Sequence, residues 1–252
     1  MYDRYRNKSQ QYSFSRPTYP KELIKYFNNK ENLQSYKCAA DIGAGTGIFS
    51  KILLDNMHQV YAVEPSEDMR IKLNQLKKDY LDIEVINGTA EDTNIKDQSI
   101  DLIVAAQSLH WFDLQKTKVE FRRILKERNL CLFIWNERLL NKNSFTSAYE
   151  SLIYKFVDNY NSYITKGKEI ISTLDDFVYP ASIKHITFPN VINMNYEGII
   201  NLFFSYSYSP EYMPSSYETQ NIIKAIDTIF KKYSNGQIIQ VQYITNVYYC
   251  NF

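Results

Sequence analysis

The stretch "AADIGAGTGIFSKIL" (residues 39–53) sets three glycines within five positions, between an apolar run and a helix with apolar periodicity. A strand, turn and helix in that order bring bare backbone to the carboxyl edge of a sheet, where open α/β sheets bind their ligands. Two cofactor shapes suit such a turn, a dinucleotide and a smaller nucleoside. Dinucleotide turns use the pattern G-x-G-x-x-G, whose last glycine lets the helix press on its strand while the helix N-terminus holds a pyrophosphate. Here the glycines are Gly43, Gly45 and Gly47, and the third arrives one residue early. The spacing favours the nucleoside.

Outward from this turn the apolar period switches repeatedly between two and 3.6. It predicts strands at 37–42, 59–64, 82–87, 99–106 and 130–136, with helices at 48–56, 67–78 and 113–127. Strands separated by helices of this length imply an α/β, doubly wound and mostly parallel sheet covered on both faces. Beyond residue 140 helices dominate, over 144–163, 196–206 and 215–234, with a strand at 183–188. The closing "QIIQVQYITNVYYCNF" alternates polar with apolar residues as an edge-region strand does, and makes seven strands in all. Pro180, Pro189, Pro210 and Pro214 read as loop breakers. The expected division is an N-terminal flap and helix (1–36), a ligand-binding α/β core (37–138) and a helical lid carrying the last two strands (139–252).

A chain of 252 residues that is 44% hydrophobic is long enough for one large core. Its 29 Lys and Arg against 28 Asp and Glu leave a net charge of +1, so no nucleic-acid partner is expected. The basic run at 115–128 reads as the wet face of a helix whose apolar side is Val119, Phe121, Ile124 and Leu125. "MYDRYRNKSQQYSF" (1–14) is polar, and no stretch nears the roughly 18 apolar residues of a membrane span, so a cytoplasmic protein with no membrane partner is expected. Cys38, Cys131 and Cys250 read as buried, reduced thiols. The three histidines and three cysteines share no ligand spacing, so no metal is expected, and there is no G-x-S-x-G elbow.

Two further features belong with the glycine turn. Glu64 ends the second strand, where the strand order brings its carboxylate beside the turn, placed to accept both hydroxyls of a ribose. "NGTAED" (87–92) offers the amide of Ala90 and the carboxylate of Glu91 or Asp92 to an adenine edge. His110, in "QSLHWF" (107–112) after the fourth strand, is the one candidate base with a reasoned position, and is equally a wall residue.

In order and spacing, "DIGAGTG", "VEPSEDM", "GTAED", "DLIVAAQSLHWFD" and "FRRILKERNLCLFIW" resemble the class I S-adenosylmethionine-dependent methyltransferases, most of all the branch with the trans-aconitate and quinone-biosynthesis enzymes. The resemblance covers residues 16 to about 136 and extends more weakly to "SYSYSPEYM" and "VQYITNVYY". "LKERN" (125–129) replaces the family's Pro and Gly turn and is expected to form a loop behind the sheet.

The resemblance implies a Rossmann-like methyltransferase fold, S-adenosyl-L-methionine as donor and S-adenosyl-L-homocysteine as product. It implies Asp41, Gly43, Ala44, Gly45 and Gly47 around the methionine moiety, Glu64 on the ribose, and Pro65, Ser66 and Met69 along the adenosine. It further implies Ala90 and Glu91 at the adenine edge and Gln107 near the sulfonium. "SRPTYP" (15–20) matches the family's flap, so Arg16 would pair with the methionine carboxylate and Tyr19 would cover the methyl as a catalytic candidate beside His110. Trp111 and Phe112 would shape the acceptor pocket. The implied reaction is methyl transfer to an O, N or carboxylate acceptor of a small molecule, by a monomer or homodimer. The alternatives are an NAD-dependent oxidoreductase, disfavoured by the glycine spacing, and a non-catalytic nucleoside-binding or regulatory protein.

Overall fold

The computed structural model describes residues 15–142 and 144–252, so the expectations for 1–14, including the first part of the flap, lie outside it. In chain order come α1 (Lys21–Glu31), β1 (Cys38–Ile42), α2 (Ile48–Leu54), β2 (Gln59–Val63), α3 (Glu67–Leu73) and β3 (Ile83–Ile86). β4 (Ile100–Ala106), α4 (Leu114–Ile124) and β5 (Leu125–Arg138) follow. The later half holds α5 (Phe145–Phe156), α6 (Tyr160–Ser172), α7 (Leu174–Val178), β6 (Lys184–Met194), α8 (Tyr196–Phe204), α9 (Tyr217–Tyr233) and β7 (Ile239–Cys250). The strands form one seven-stranded sheet in the order β3-β2-β1-β4-β5-β7-β6. β7 is antiparallel to both its neighbours, β5 and β6, and the other pairings are parallel.

β1 and β4 are apolar runs without alternation because both their faces are covered. On β5 the alternation sorts the core: Leu130, Leu132 and Ile134 pack with Phe27 of α1 and Phe49 and Leu53 of α2, while Cys131, Phe133 and Trp135 pack with Phe121 and Ile124 of α4. Helices α2 and α4 thus lie on opposite faces, and the winding reverses between β1 and β4. A crevice at the carboxyl ends of those two strands follows from that reversal. A third core, with Tyr149, Ile153, Leu202, Phe203, Ile222 and Ile226, joins α5, α8 and α9 over the β7 residue Val241.

Four expectations need correction. Residues 125–129 are not a loop: Ile100 pairs with Leu125 and Leu102 with Leu130, so four residues of β5 oppose Asp101 alone. This bulge is held by Lys126 Nζ on the Asp101 carboxylate at 2.9 and 3.0 Å, and by Asn129 Oδ1, which accepts the N–H of Phe252 at 2.7 Å. β7 is an interior strand, because its polar side chains find partners in the sheet: Thr245 donates to Asn136 on β5, and Asn246 bonds His185 on β6 at 2.9 Å. Pro189, read as a loop breaker, lies inside the edge strand β6, where an outer strand tolerates the missing N–H. Finally, the helix read over 144–163 breaks after Phe156, where Asn159 takes a left-handed φ of 57°, and α6 and α7 continue to Val178.

Candidate active site

The turn after β1 is built by backbone bonds to β2: the N–H groups of Gly43 and Ala44 donate to Val63 O at 2.9 and 3.0 Å. What presses on two of its glycines is the protein itself. A Cβ on Gly43 would stand 2.6 Å from Ser108 Cβ, and one on Gly47 2.7 Å from the side chains of Leu73 and Leu76. Gly47 therefore seats α2 against the α3 region and does not line the crevice. Gly45 differs from both: at φ +58° its N–H points to Glu64 Oε2, 2.8 Å away.

Glu64 is held from both sides, since its Oε1 accepts the N–H of Ser66 at 2.9 Å. Burial raises its pKa, against the pull of the two amides and Arg70. Arg70 donates to the carbonyls of Glu64 and Pro65 at 2.9 and 2.6 Å and so fixes the strand end. Each carboxylate oxygen keeps a free acceptor direction, and the pair is oriented in advance for a diol.

The crevice beside it is lined by Gly43, Gly45, Glu64, Pro65, Ser66, Met69, Ala90, Glu91, Gln107, Trp111 and Phe112, all named from sequence, and by Thr89 and Ser108, which were missed. Ser108 Oγ donates to Ile42 O at 2.7 Å, a tertiary contact with no signature in its neighbours. Glu91 also has a structural duty, because its Oε1 accepts the N–H of Asp113, the N-cap of α4, at 2.7 Å. Trp111 and Phe112, expected around the acceptor, both line this crevice.

Toward α2 the crevice continues into a recess lined by Arg16, Tyr19, Asp41, Ala44 and Gln107. Tyr19 stands edge-on to Phe49 at 5.0 Å between centroids. Asp41 is buried, accepts from Ser50 Oγ at 2.6 Å, and is pushed up to about 7 by burial and by the nearby Glu64 charge. Between about pH 4 and 7 the folded chain thus carries a proton that the unfolded chain has released, and stability falls as the pH rises through that window. We expect Asp41→Asn to flatten this slope in pH-dependent thermal melts; an unchanged slope would assign it to another group.

Gln107, with a left-handed φ of 59°, also lines a third space, a chamber of about 480 Å³. His110, Trp135, Asn136, Arg138, Glu150, Tyr160, Tyr206, Tyr208 and Tyr243 form much of its wall. Arg138 and Glu150 make a buried pair: Arg138 Nε and Nη2 reach Glu150 Oε2 at 2.8 and 2.7 Å, while Nη1 and Nη2 donate to the hydroxyls of Tyr206 and Tyr160 at 2.6 and 2.7 Å. Tyr160 in turn donates to Glu150 Oε1 at 2.7 Å. None of Arg138, Glu150, Tyr160 and Tyr206 was named from the sequence.

Arg16 closes the chamber from the N-terminal side, with Nη2 on Ser205 O at 3.1 Å and its guanidinium 4.3 Å over the Tyr206 ring. Asn136 ties the parts together. Its backbone O accepts Gln107 Nε2 at 3.1 Å, its Nδ2 donates to Thr18 O at 3.2 Å, and its Oδ1 accepts Asn190 Nδ2 at 3.2 Å. His110 faces the chamber as a neutral imidazole, pushed down to about 4 by burial and by Lys166 and Arg16.

With this geometry in view, the fold aligns with a solved structure from Anaeromyxobacter dehalogenans, provisionally named a type II methyltransferase, over 93% of this chain and 97% of that one (TM-score 0.67, 18% identity). It also aligns with one from Anabaena variabilis, provisionally named a methyltransferase of an antibiotic biosynthesis pathway, over 91% and 97% (TM-score 0.54, 20% identity). The fold is that of the Rossmann-like methyltransferases. Residues 40–133 match the family described as a methyltransferase domain. An uncharacterised methyltransferase of Schizosaccharomyces pombe is 28% identical over 128 residues, 50% of each chain, and one of Mycobacterium tuberculosis 31% over 127 residues, 50% of this chain and 49% of that one. The chain spans about half the length of these curated relatives. Over residues 40–133 the chain carries a methyltransferase domain. No helix among the described residues is long and apolar enough to cross a membrane.

Proposed function

We propose that the chain moves the methyl group of S-adenosylmethionine to a small-molecule acceptor held in the tyrosine-walled chamber, and that the acceptor atom arrives already anionic. The observation that carries this reading is Gln107, whose side chain lines the glycine-turn crevice, the Asp41 recess and the chamber at once. A donor and an acceptor seated on its two sides meet there.

The residues present fit the cofactor: a buried carboxylate pre-oriented by two amides suits a ribose, and a buried acid raised to about 7 suits an arriving ammonium. When bound, the cofactor supplies an electrophilic methyl on a sulfonium. Glu64 holds the ribose, Ala90 and Glu91 meet the adenine edge, Asp41 takes the amino group, and Arg16 is placed for the carboxylate. Gln107 and Tyr19 stand at the methyl end and exclude water. Alignment of this kind supplies on the order of 7–11 kcal/mol of a transfer barrier.

An anionic acceptor needs no base, and the chamber offers a poor one. His110 is neutral and feebly basic, and the groups acting on it are two cations and no carboxylate. With Arg138 paired to Glu150 and Arg16 given to the cofactor's carboxylate, Lys168 and Glu137 balance in the wall, so the weak base at His110 is what favours an anionic acceptor.

The test is a calorimetric titration with S-adenosylhomocysteine and with NAD, followed by methyl transfer from labelled S-adenosylmethionine to a panel of carboxylates, phenols and amines. Turnover confined to groups that are anionic at neutral pH is expected. His110→Gln should then change kcat by less than about tenfold and leave the pH profile above 5 in place, whereas a base would lose roughly 10²–10⁴-fold. A loss of that size in kcat alone overturns the anionic acceptor. Binding without turnover of any acceptor would favour the non-catalytic alternative.

A further inference from the structure

Helix α6 is a roof with little beneath it. Of its thirteen residues only Tyr160 is buried, and Tyr163, Ile164, Gly167, Lys168 and Ile171 line the chamber. Their spacing of three and four places them on one helical face.

Gly167 is the anomaly on that face. It lies in the helix interior with helical backbone, where glycine is the least favourable residue after proline. Other glycines of the described chain have a reason in the protein: a Cβ would strike Ser108 at Gly43, leucine side chains at Gly47, and backbone at Gly88. A Cβ on Gly167 would meet nothing within 4 Å. Neither packing nor backbone geometry asks for glycine here, yet the residue lies on the wall of a 480 Å³ space flanked by Tyr163, Ile164 and Ile171.

We propose that Gly167 is a specificity-determining position: a gap in the α6 wall into which a flat, apolar body of the acceptor presses against bare helix backbone. This rests on the reading of the chamber as the acceptor site. The gap is kept open at a cost in helix stability, which is recovered only when the chamber is filled. The isoleucines and Tyr163 around the gap select for an apolar surface, while Lys168 on the same helical face takes the acceptor's charge.

The experiment compares the wild type with Gly167→Ala and Gly167→Leu, using 8-anilinonaphthalene-1-sulfonate as a flat, anionic fluorescent probe. The wild type is expected to bind the probe saturably. Alanine should raise the melting temperature of the ligand-free protein by about 2–4 °C, since it improves the helix and touches nothing. It should weaken the probe several-fold, and leucine should weaken it at least about tenfold while the protein stays as stable as the wild type. S-adenosylhomocysteine should bind all three alike. A wild type that does not bind the probe, or a leucine variant that binds it undiminished, overturns the proposal. Failure of S-adenosylhomocysteine to bind even the wild type would instead count against the methyltransfer reading, and the probe series would still decide the role of Gly167.

Discussion

Gly45→Val is expected to abolish binding of S-adenosylhomocysteine while the protein still folds. The residue holds φ +58° and aims its N–H at Glu64. A β-branched side chain is rare in that region, and left-handed backbone costs roughly 1–2 kcal/mol per residue. Strain would swing the N–H away from Glu64, and the isopropyl group would occupy the crevice that Gly45 lines. Gly45→Ala carries much the same strain with far less bulk, so it should bind weakly. Calorimetry on both variants, with melts as a fold control, reads the two effects apart. Binding by the valine variant within a few-fold of wild type would mean that no ligand approaches this backbone.

Glu150→Leu is expected to lower the melting temperature sharply. Both members of the Arg138–Glu150 pair are 12% exposed, and the substitution leaves a guanidinium without its carboxylate and Tyr160 without its acceptor. Breaking a buried pair from one side costs about 3–5 kcal/mol, and the pair's partial exposure in the chamber wall puts this case near the lower end. For a chain of this size about 3 kcal/mol corresponds to roughly 6–12 °C. Glu150→Gln keeps an acceptor for Arg138 and Tyr160 and should lose about half as much. A leucine variant melting within 2 °C of wild type would show the pair to be dispensable.

These two residues also mark how far the sequence could be read. The crevice around Gly45 was legible because its parts are local: a turn, a strand end and two loops, each following a strand whose periodicity is plain. One sheet edge then brings them together. Gly47 shows the limit even there, since only the fold reveals that Leu73 and Leu76 set its need for glycine. Glu150 belongs to a wall assembled from β5, α5, α6, the segment after α8 and β7, and no spacing links Arg138 to Tyr160, Tyr206 or Tyr243. The place of β7 was hidden for a related reason. Its polar residues read as an edge until Thr245 and Asn246 are seen bonded to β5 and β6. The extended course of 125–129 depends in the same way on Asp101 and Phe252, distant residues that hold a bulge in place of a turn.

Asn136 carries a consequence for how this protein can change. Through one side chain and one carbonyl it pins Gln107, the Thr18 strap and Asn190 to the sheet. The partition between the two compartments is therefore anchored on strands, while much of the chamber's far wall comes from α6, whose Lys166 also stands 5.3 Å from the ring of Trp111 in the crevice wall. On the proposed reading, residues of that far wall set which acceptor fits, and the residues at the partition set where the methyl would cross. On that reading substrate choice and transfer geometry are separately heritable, with Asn136 as the joint between them.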